Sequence, residues 1–201
     1  MPFMNKRILV SLLLTGIVFI FWYCNSSKTE KKVEVRPSPI SFTENSGTFN
    51  ESFSGLLTAY YALKDAFVAS DTGMVNTAAD KLALNADSLK INEIQGDTSG
   101  AIKETAQYFA ATISSSGKNI GAQPGLEAKR RELNMITDAL WNLTRTVHFE
   151  GQKVYYQYCP MAFDNMGAYW LSDKREVVNP YFGKEMLNCG EVTDSLDYSK
   201  K

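Results

Sequence analysis

The sequence predicts a mainly α-helical domain: an antiparallel up-down four-helix bundle with a small C-terminal strand and loop unit that carries a cysteine and methionine cluster. Three observations predict it. Between residues 50 and 147 apolar side chains recur at steps of three and four, the period of a helix face. After Gly151 the texture changes to short runs rich in β-branched and aromatic residues, separated by Asn, Gly and Pro. Five of the ten sulfur side chains, those of 3 cysteines and 7 methionines, fall in the window 159–189.

The chain begins with a stretch that does not belong to this fold. Lys6 and Arg7 precede an uncharged run over residues 8–23, and residues 1–24 read as an export signal. As a helix the run is about 24 Å long, short of a hydrocarbon core of about 30 Å, which favours cleavage over a permanent span. Cys24 ends it, before the polar "NSSKTEKK". The arrangement is similar to a bacterial lipoprotein signal, whose cysteine becomes the lipidated first residue. Phe21, Trp22 and Tyr23 stand where that pattern prefers small residues. A lipid on Cys24, a soluble exported form and an uncleaved anchor stay open. All three place the domain in the cell envelope, on the periplasmic side. Residues 25–48, rich in Ser, Lys, Glu and Pro, read as a disordered tether. Losing residues 1–24 takes two of the 21 basic residues and none of the 22 acidic ones, so no basic field for nucleic acid is left.

Residues 49–150 form the expected bundle. Phe53, Leu56, Tyr60, Leu63 and Phe67 mark the first helix; Val75, Ala78, Leu82, Ala86 and Leu89 mark the second, capped by Asp71 or Thr72. "QGDTSG" breaks the pattern before Ile102, Ala106, Phe109 and Ile113. "SSSGKNIGAQPG" is the next break, with Pro124 suited to a first helical turn. The fourth stripe is Leu133, Ile136, Leu140, Leu143 and Val147. Four such helices on short loops give an up-down bundle, expected to be monomeric. Met74, Met135, Tyr60 and Phe109 are expected in the core, and the charged "EAKRRE" on the surface. Residues 151–196 extend the same domain, with strands expected in "KVYYQYC", "AYWLS" and "REVVNPYFG" and a helical turn over 184–188; residues 197–201 are a tail.

Cysteine arithmetic leaves two readings. With Cys24 lipidated or removed, Cys159 and Cys189 form an even pair in an exported domain, and a structural disulfide closing a loop of about 30 residues is one reading. Met161, Met166 and Met186 are then packing. The other is a soft-metal site, since thiolate and thioether sulfur select Cu(I), and Ag(I) by the same softness. Cys159 and Met161, two apart, share a face on a strand; Met186 and Cys189, three apart, share one on a helical turn. Met166 lies in the loop between. The single histidine, His148, is a further candidate ligand, although the negative end of a helix also favours it. Without CxxC or HxxxH, zinc is disfavoured. The residues carry no oxyanion signature, orienting partner or glycine-rich phosphate loop, so an enzyme is not expected.

The order "YYQYCPMAF", "GAYWLS", "EVVNPYFGKEMLNCGEV" resembles a bacterial (Bacteroidetes-type) exported domain family of unknown function. That family is also found appended to periplasmic adaptor (membrane-fusion) proteins of Cus-type heavy-metal efflux systems. The likeness is read over residues 49–196, loosely in the helices and specifically in "YCPMA", "WLS", "NPYFG" and the M-x-x-CG of "MLNCG". The resemblance implies that Cys159, Met161, Met186 and Cys189 stand at the family's sulfur positions. It also implies copper or silver handling, by an accessory protein working with efflux adaptor components. The expectation is therefore an exported, non-enzymatic protein that binds Cu(I) or Ag(I). The alternative is a disulfide-clipped, non-metal interaction domain docking on an envelope complex.

Overall fold

The computed structural model describes residues 45–199. The expected export signal, Cys24 and most of the tether lie outside the described residues. Four long helices come first. Helix α1 (Gly47–Ala69) starts with Ser46, whose hydroxyl accepts the Phe49 N–H at 3.1 Å, so the fold begins slightly before the expected boundary at 49. Helix α2 (Thr72–Asp87) is capped by Asp71, whose carboxylate accepts the Met74 N–H at 2.9 Å. Helix α3 (Ala101–Ile120) has no capping side chain at Gly100; instead Asp97 reaches forward to the Lys103 N–H at 2.8 Å. Helix α4 (Leu126–Val147) starts after Gly125, which places Pro124 before the cap rather than in the first turn.

The helices form a bundle in which each packs on the next in sequence. The α1 and α4 stripes are fully buried along their whole length. In α2 the buried positions are Val75, Ala79, Leu82, Ala83 and Ala86. Small residues bring α2 and α3 close: a Cβ on Gly117 would lie 3.2 Å from the Ala79 carbonyl oxygen. Two expected core methionines are not core. Met74 is 56% exposed and Met135 46% exposed, because each sits one position ahead of its buried stripe, at Val75 and Ile136. The reverse holds in "EAKRRE", where Lys129 and Glu132 are buried. Lys129 continues the α4 stripe back from Leu133, so its stem packs inward; its ammonium donates to Asn76 Oδ1 at 2.9 Å and to the Ile120 carbonyl. Gln123 donates to Glu132 at 3.0 Å.

The C-terminal part is a three-stranded antiparallel sheet, β1 (Val154–Cys159), β2 (Ala168–Ser172) and β3 (Glu191–Leu196), in the order β2-β1-β3. The strands expected in "KVYYQYC" and "AYWLS" form. The one expected in "REVVNPYFG" does not, and "EVTDSL" supplies the third strand instead. The reason lies in Gln157. It is fully buried, and its amide donates to the carbonyls of Lys174, Arg175 and Glu176 at 3.1, 3.3 and 3.0 Å. Those carbonyls are therefore spent on a side chain rather than on a ladder, and the free edge of β1 takes β3. The expected helical turn is a single 3-10 turn, Gly183–Glu185.

A directional hydrogen-bond chain joins sheet to bundle. The Leu171 N–H donates to the Tyr60 hydroxyl at 3.0 Å, which meets Thr137 Oγ1 at 2.7 Å, which in turn donates to the Leu133 carbonyl at 2.9 Å. The outward amide of an edge strand is thereby satisfied inside the protein. Among the described residues no helix is long and apolar enough to cross a membrane.

Candidate functional site

Cys159 is the last residue of β1, opposite Ala168 and fully buried. Pro160 follows, and without an N–H it cannot extend the ladder. Cys189 arrives from the other side, at the end of the loop that leads into β3. Asn179, fully buried, sets that loop: its Nδ2 donates to the Cys189 carbonyl at 2.7 Å, and its Oδ1 accepts the Tyr181 N–H at 2.7 Å. Its backbone N–H donates to the Leu187 carbonyl at 2.7 Å. Gly190, at φ 135°, lets the chain pass so close to the sheet that a Cβ would lie 2.5 Å from the Tyr158 carbonyl oxygen and 2.8 Å from the Trp170 ring. Arg130 of α4 holds the loop through the Pro180 carbonyl at 3.1 Å.

These contacts place the Cys159 and Cys189 sulfur atoms 3.1 Å apart, both as free thiols, the first buried and the second half-buried. The hydrogen bond to Cys159, with some desolvation, pushes the Cys189 thiol above its ordinary value. Cys189 therefore keeps its proton near neutral pH and releases it when something replaces it.

The methionines are placed differently. Met161 lies beyond the end of β1, in the turn after Pro160, so it does not share a strand face with Cys159 as its spacing predicted; it is 46% exposed. Met161 and Met186 both line a cleft of about 350 Å³, together with Glu127, Phe163, Asp164, Asn165, Tyr181 and Phe182. The backbone of Met186 is tied to Cys189 by a turn in which the Cys189 N–H donates to the Met186 carbonyl at 3.1 Å. Met166 is 68% exposed and is not among the cleft residues.

His148 is not at this site. It is the left-handed C-cap of α4, and its ring stacks on Tyr198 at 4.8 Å. The register sets the Val154–Leu196 end of the sheet, next to Tyr198, against the Cys159–Ala168 end, about 16 Å away along β1. Among the described residues no group of three or more His, Cys, Asp and Glu side chains is arranged to hold a metal ion. An ion here would depend on the thiol pair and a thioether.

One wall of the cleft is strained. Phe163, Asp164 and Asn165 have φ of 53°, 59° and 66°, a left-handed turn built from three non-glycine residues. Such a conformation costs about 1–2 kcal/mol per residue and persists only where the surroundings hold it. Here the Phe163 ring is held between Tyr181, 5.3 Å away and edge-on, and the Arg131 guanidinium, 4.7 Å from the ring centre. Gly167, at φ 81°, closes the turn where a Cβ would meet the Tyr158 hydroxyl. The sequence reading missed the residues that build this region, Gln157, Asn179 and Tyr181. One signal was available: Gln157 alternates on the same strand face as Cys159, which marks it as an inward polar residue.

Residues 56–151 match the model of a family described as a protein of unknown function (DUF3347). None of the curated proteins and none of the solved structures compared with the chain matches it. The matched span covers most of α1 and all of α2, α3 and α4, and stops before β1. The likeness thus lies in the helical part, whereas the sulfur motifs over 159–189, where the sequence reading set its most specific part, fall outside the span.

Proposed function

We propose that this is an exported, non-enzymatic accessory protein that takes a soft ion, Cu(I) or Ag(I), as cargo, on an antiparallel up-down bundle that serves as a rigid base. The carrying observation is the pair of thiols 3.1 Å apart on two well-anchored segments. Two thiolates and a thioether are the donor set that soft monovalent ions select. In this reading Cys159 and Cys189 give the thiolates and Met186, three residues before Cys189, gives a thioether; Met161, which lines the same cleft as Met186, is a second. Met166 and His148 take no part. Ion binding must displace the thiol protons, so affinity rises with pH through the range below the thiol pKa values, by up to about a hundredfold per pH unit for two protons. The partners fitting this role are heavy-metal efflux adaptor components, met in the envelope, with the protein lipid-anchored through Cys24 or soluble.

The test is a competition titration of reduced protein against a Cu(I) chelator. Cys189→Ser is expected to abolish tight binding, and Met161→Leu to weaken it only slightly. If the double variant Cys159→Ser, Cys189→Ser holds copper as tightly as the parent, the reading fails. The second reading, a disulfide-clipped interaction domain docking on an envelope complex, draws on the same thiol proximity.

A further inference from the structure

The two thiols are unequal in a way that neither reading uses. Cys159 is closed off completely, under the loop that ends at Cys189, whereas Cys189 is half-buried and reachable. They face each other at 3.1 Å without a bond. The segments carrying them are fixed by contacts that do not involve sulfur: the Asn179 clamp on the Cys189 carbonyl and the Cys159–Ala168 pairing in the sheet. An accessible thiol backed by a buried one at contact distance is the arrangement of an attacking and a resolving cysteine.

We propose that Cys159 and Cys189 are a reversible redox couple, with Cys189 the entry thiol and Cys159 the resolving thiol. The co-reactant is a small-molecule disulfide, R–S–S–R. Cys189 loses its proton to solvent, and its sulfur attacks one sulfur of R–S–S–R; that S–S bond breaks, a mixed disulfide forms and one thiolate leaves. Cys159, deprotonated in turn, attacks the Cys189 sulfur, forms the internal disulfide and expels the second thiolate. Two electrons pass from the cysteine pair to the small disulfide, and the two protons end on the two small thiols. A dithiol runs the sequence backwards.

The couple stands without the ion reading. Only its consequence rests on that reading: the dithiol has ligands for a soft ion and the disulfide has none. Trp170 is a built-in reporter, since its buried ring lies against Gly190, next to Cys189.

The experiment treats reduced full-length protein carrying Cys24→Ser as the parent, so that Cys159 and Cys189 are its two remaining thiols, without metal, with oxidised glutathione, and follows intact mass and tryptophan fluorescence. The parent is expected to lose two hydrogens through a transient glutathione adduct, with a fluorescence change that a dithiol reverses. Cys159→Ser is expected to stop at a stable adduct on Cys189. Cys189→Ser is expected to react at least tenfold more slowly than Cys159→Ser, since its remaining thiol is buried. Equal adduct formation by the two variants overturns the assignment of roles. A parent that accumulates the mixed disulfide and never closes overturns the couple. Failure of copper binding in the titration above leaves both outcomes unaffected, so the two proposals fail separately.

Discussion

The bundle and the C-terminal unit are held by different kinds of force. In α1 and α4 one helix face after another is buried, through Phe53, Leu56, Leu63, Leu133, Ile136 and Leu140, and none of these contacts is directional. The C-terminal unit has a smaller apolar interior around Trp170, Leu171 and Tyr181 and relies on a few buried polar side chains, each with a fixed partner: Gln157 on three carbonyls, Asn179 on Cys189 and Tyr181, and the Tyr181 hydroxyl on the Tyr169 carbonyl at 2.5 Å. A hydrophobic face tolerates drift in its members. A hydrogen-bonded clamp does not, because a buried group left without its partner costs its full desolvation penalty with nothing to offset it. The difference suits a division of labour in which the bundle supplies stability and the sheet and loop supply placement.

The largest expected effect falls on the bundle. Leu140→Ala, in a fully buried stripe, is expected to destabilise the whole domain by about 2–5 kcal/mol through the cavity it leaves, seen as a lower denaturation midpoint. Helices and sheet should unfold together, because the Leu171–Tyr60–Thr137 chain couples them.

A smaller and local effect is expected from Asn179→Ala. It leaves the Cys189 carbonyl and the Tyr181 N–H without their partners, at a cost of about 1–3 kcal/mol. Amide exchange is expected to rise over residues 179–189 and to stay at the parent level in α1 and α4. Equal loosening of both regions would remove the distinction between them.

The smallest concerns pH. Desolvation raises the Asp138 carboxyl above its ordinary value, against a weaker lowering by the Tyr156 hydroxyl at 3.5 Å. The folded state then holds its proton more tightly than the unfolded one, so Asp138 costs stability as pH rises from about 4 through its folded value. Asp138→Asn is expected to flatten that part of the stability profile, with a slight gain at neutral pH and little change in strong acid.

Residue type and spacing settle whatever depends on near neighbours along the chain. Four apolar stripes, the Asp71 cap and the two strands that begin the C-terminal unit were legible because period and capping act within a few residues. Even Lys129 was legible in principle, since it continues a stripe, but its charge outweighed its position in the reading. The parity of Cys159 and Cys189 was visible too, although it left clip and ligand unresolved.

Which sulfur atoms meet depends on contacts between distant parts of the chain. Spacing paired Cys159 with Met161 and Met186 with Cys189. The fold pairs cysteine with cysteine at contact distance and sets Met161 and Met186 on one cleft. It also sends His148 to the far end of the sheet and gives the third strand to "EVTDSL". The physical reason is common to all of these. The path of the chain from 173 to 190 is set by hydrogen bonds from Gln157 and Arg130 and by the close approach of Gly190 to Tyr158 and Trp170, contacts between residues 17 to 50 positions apart. No local period records them.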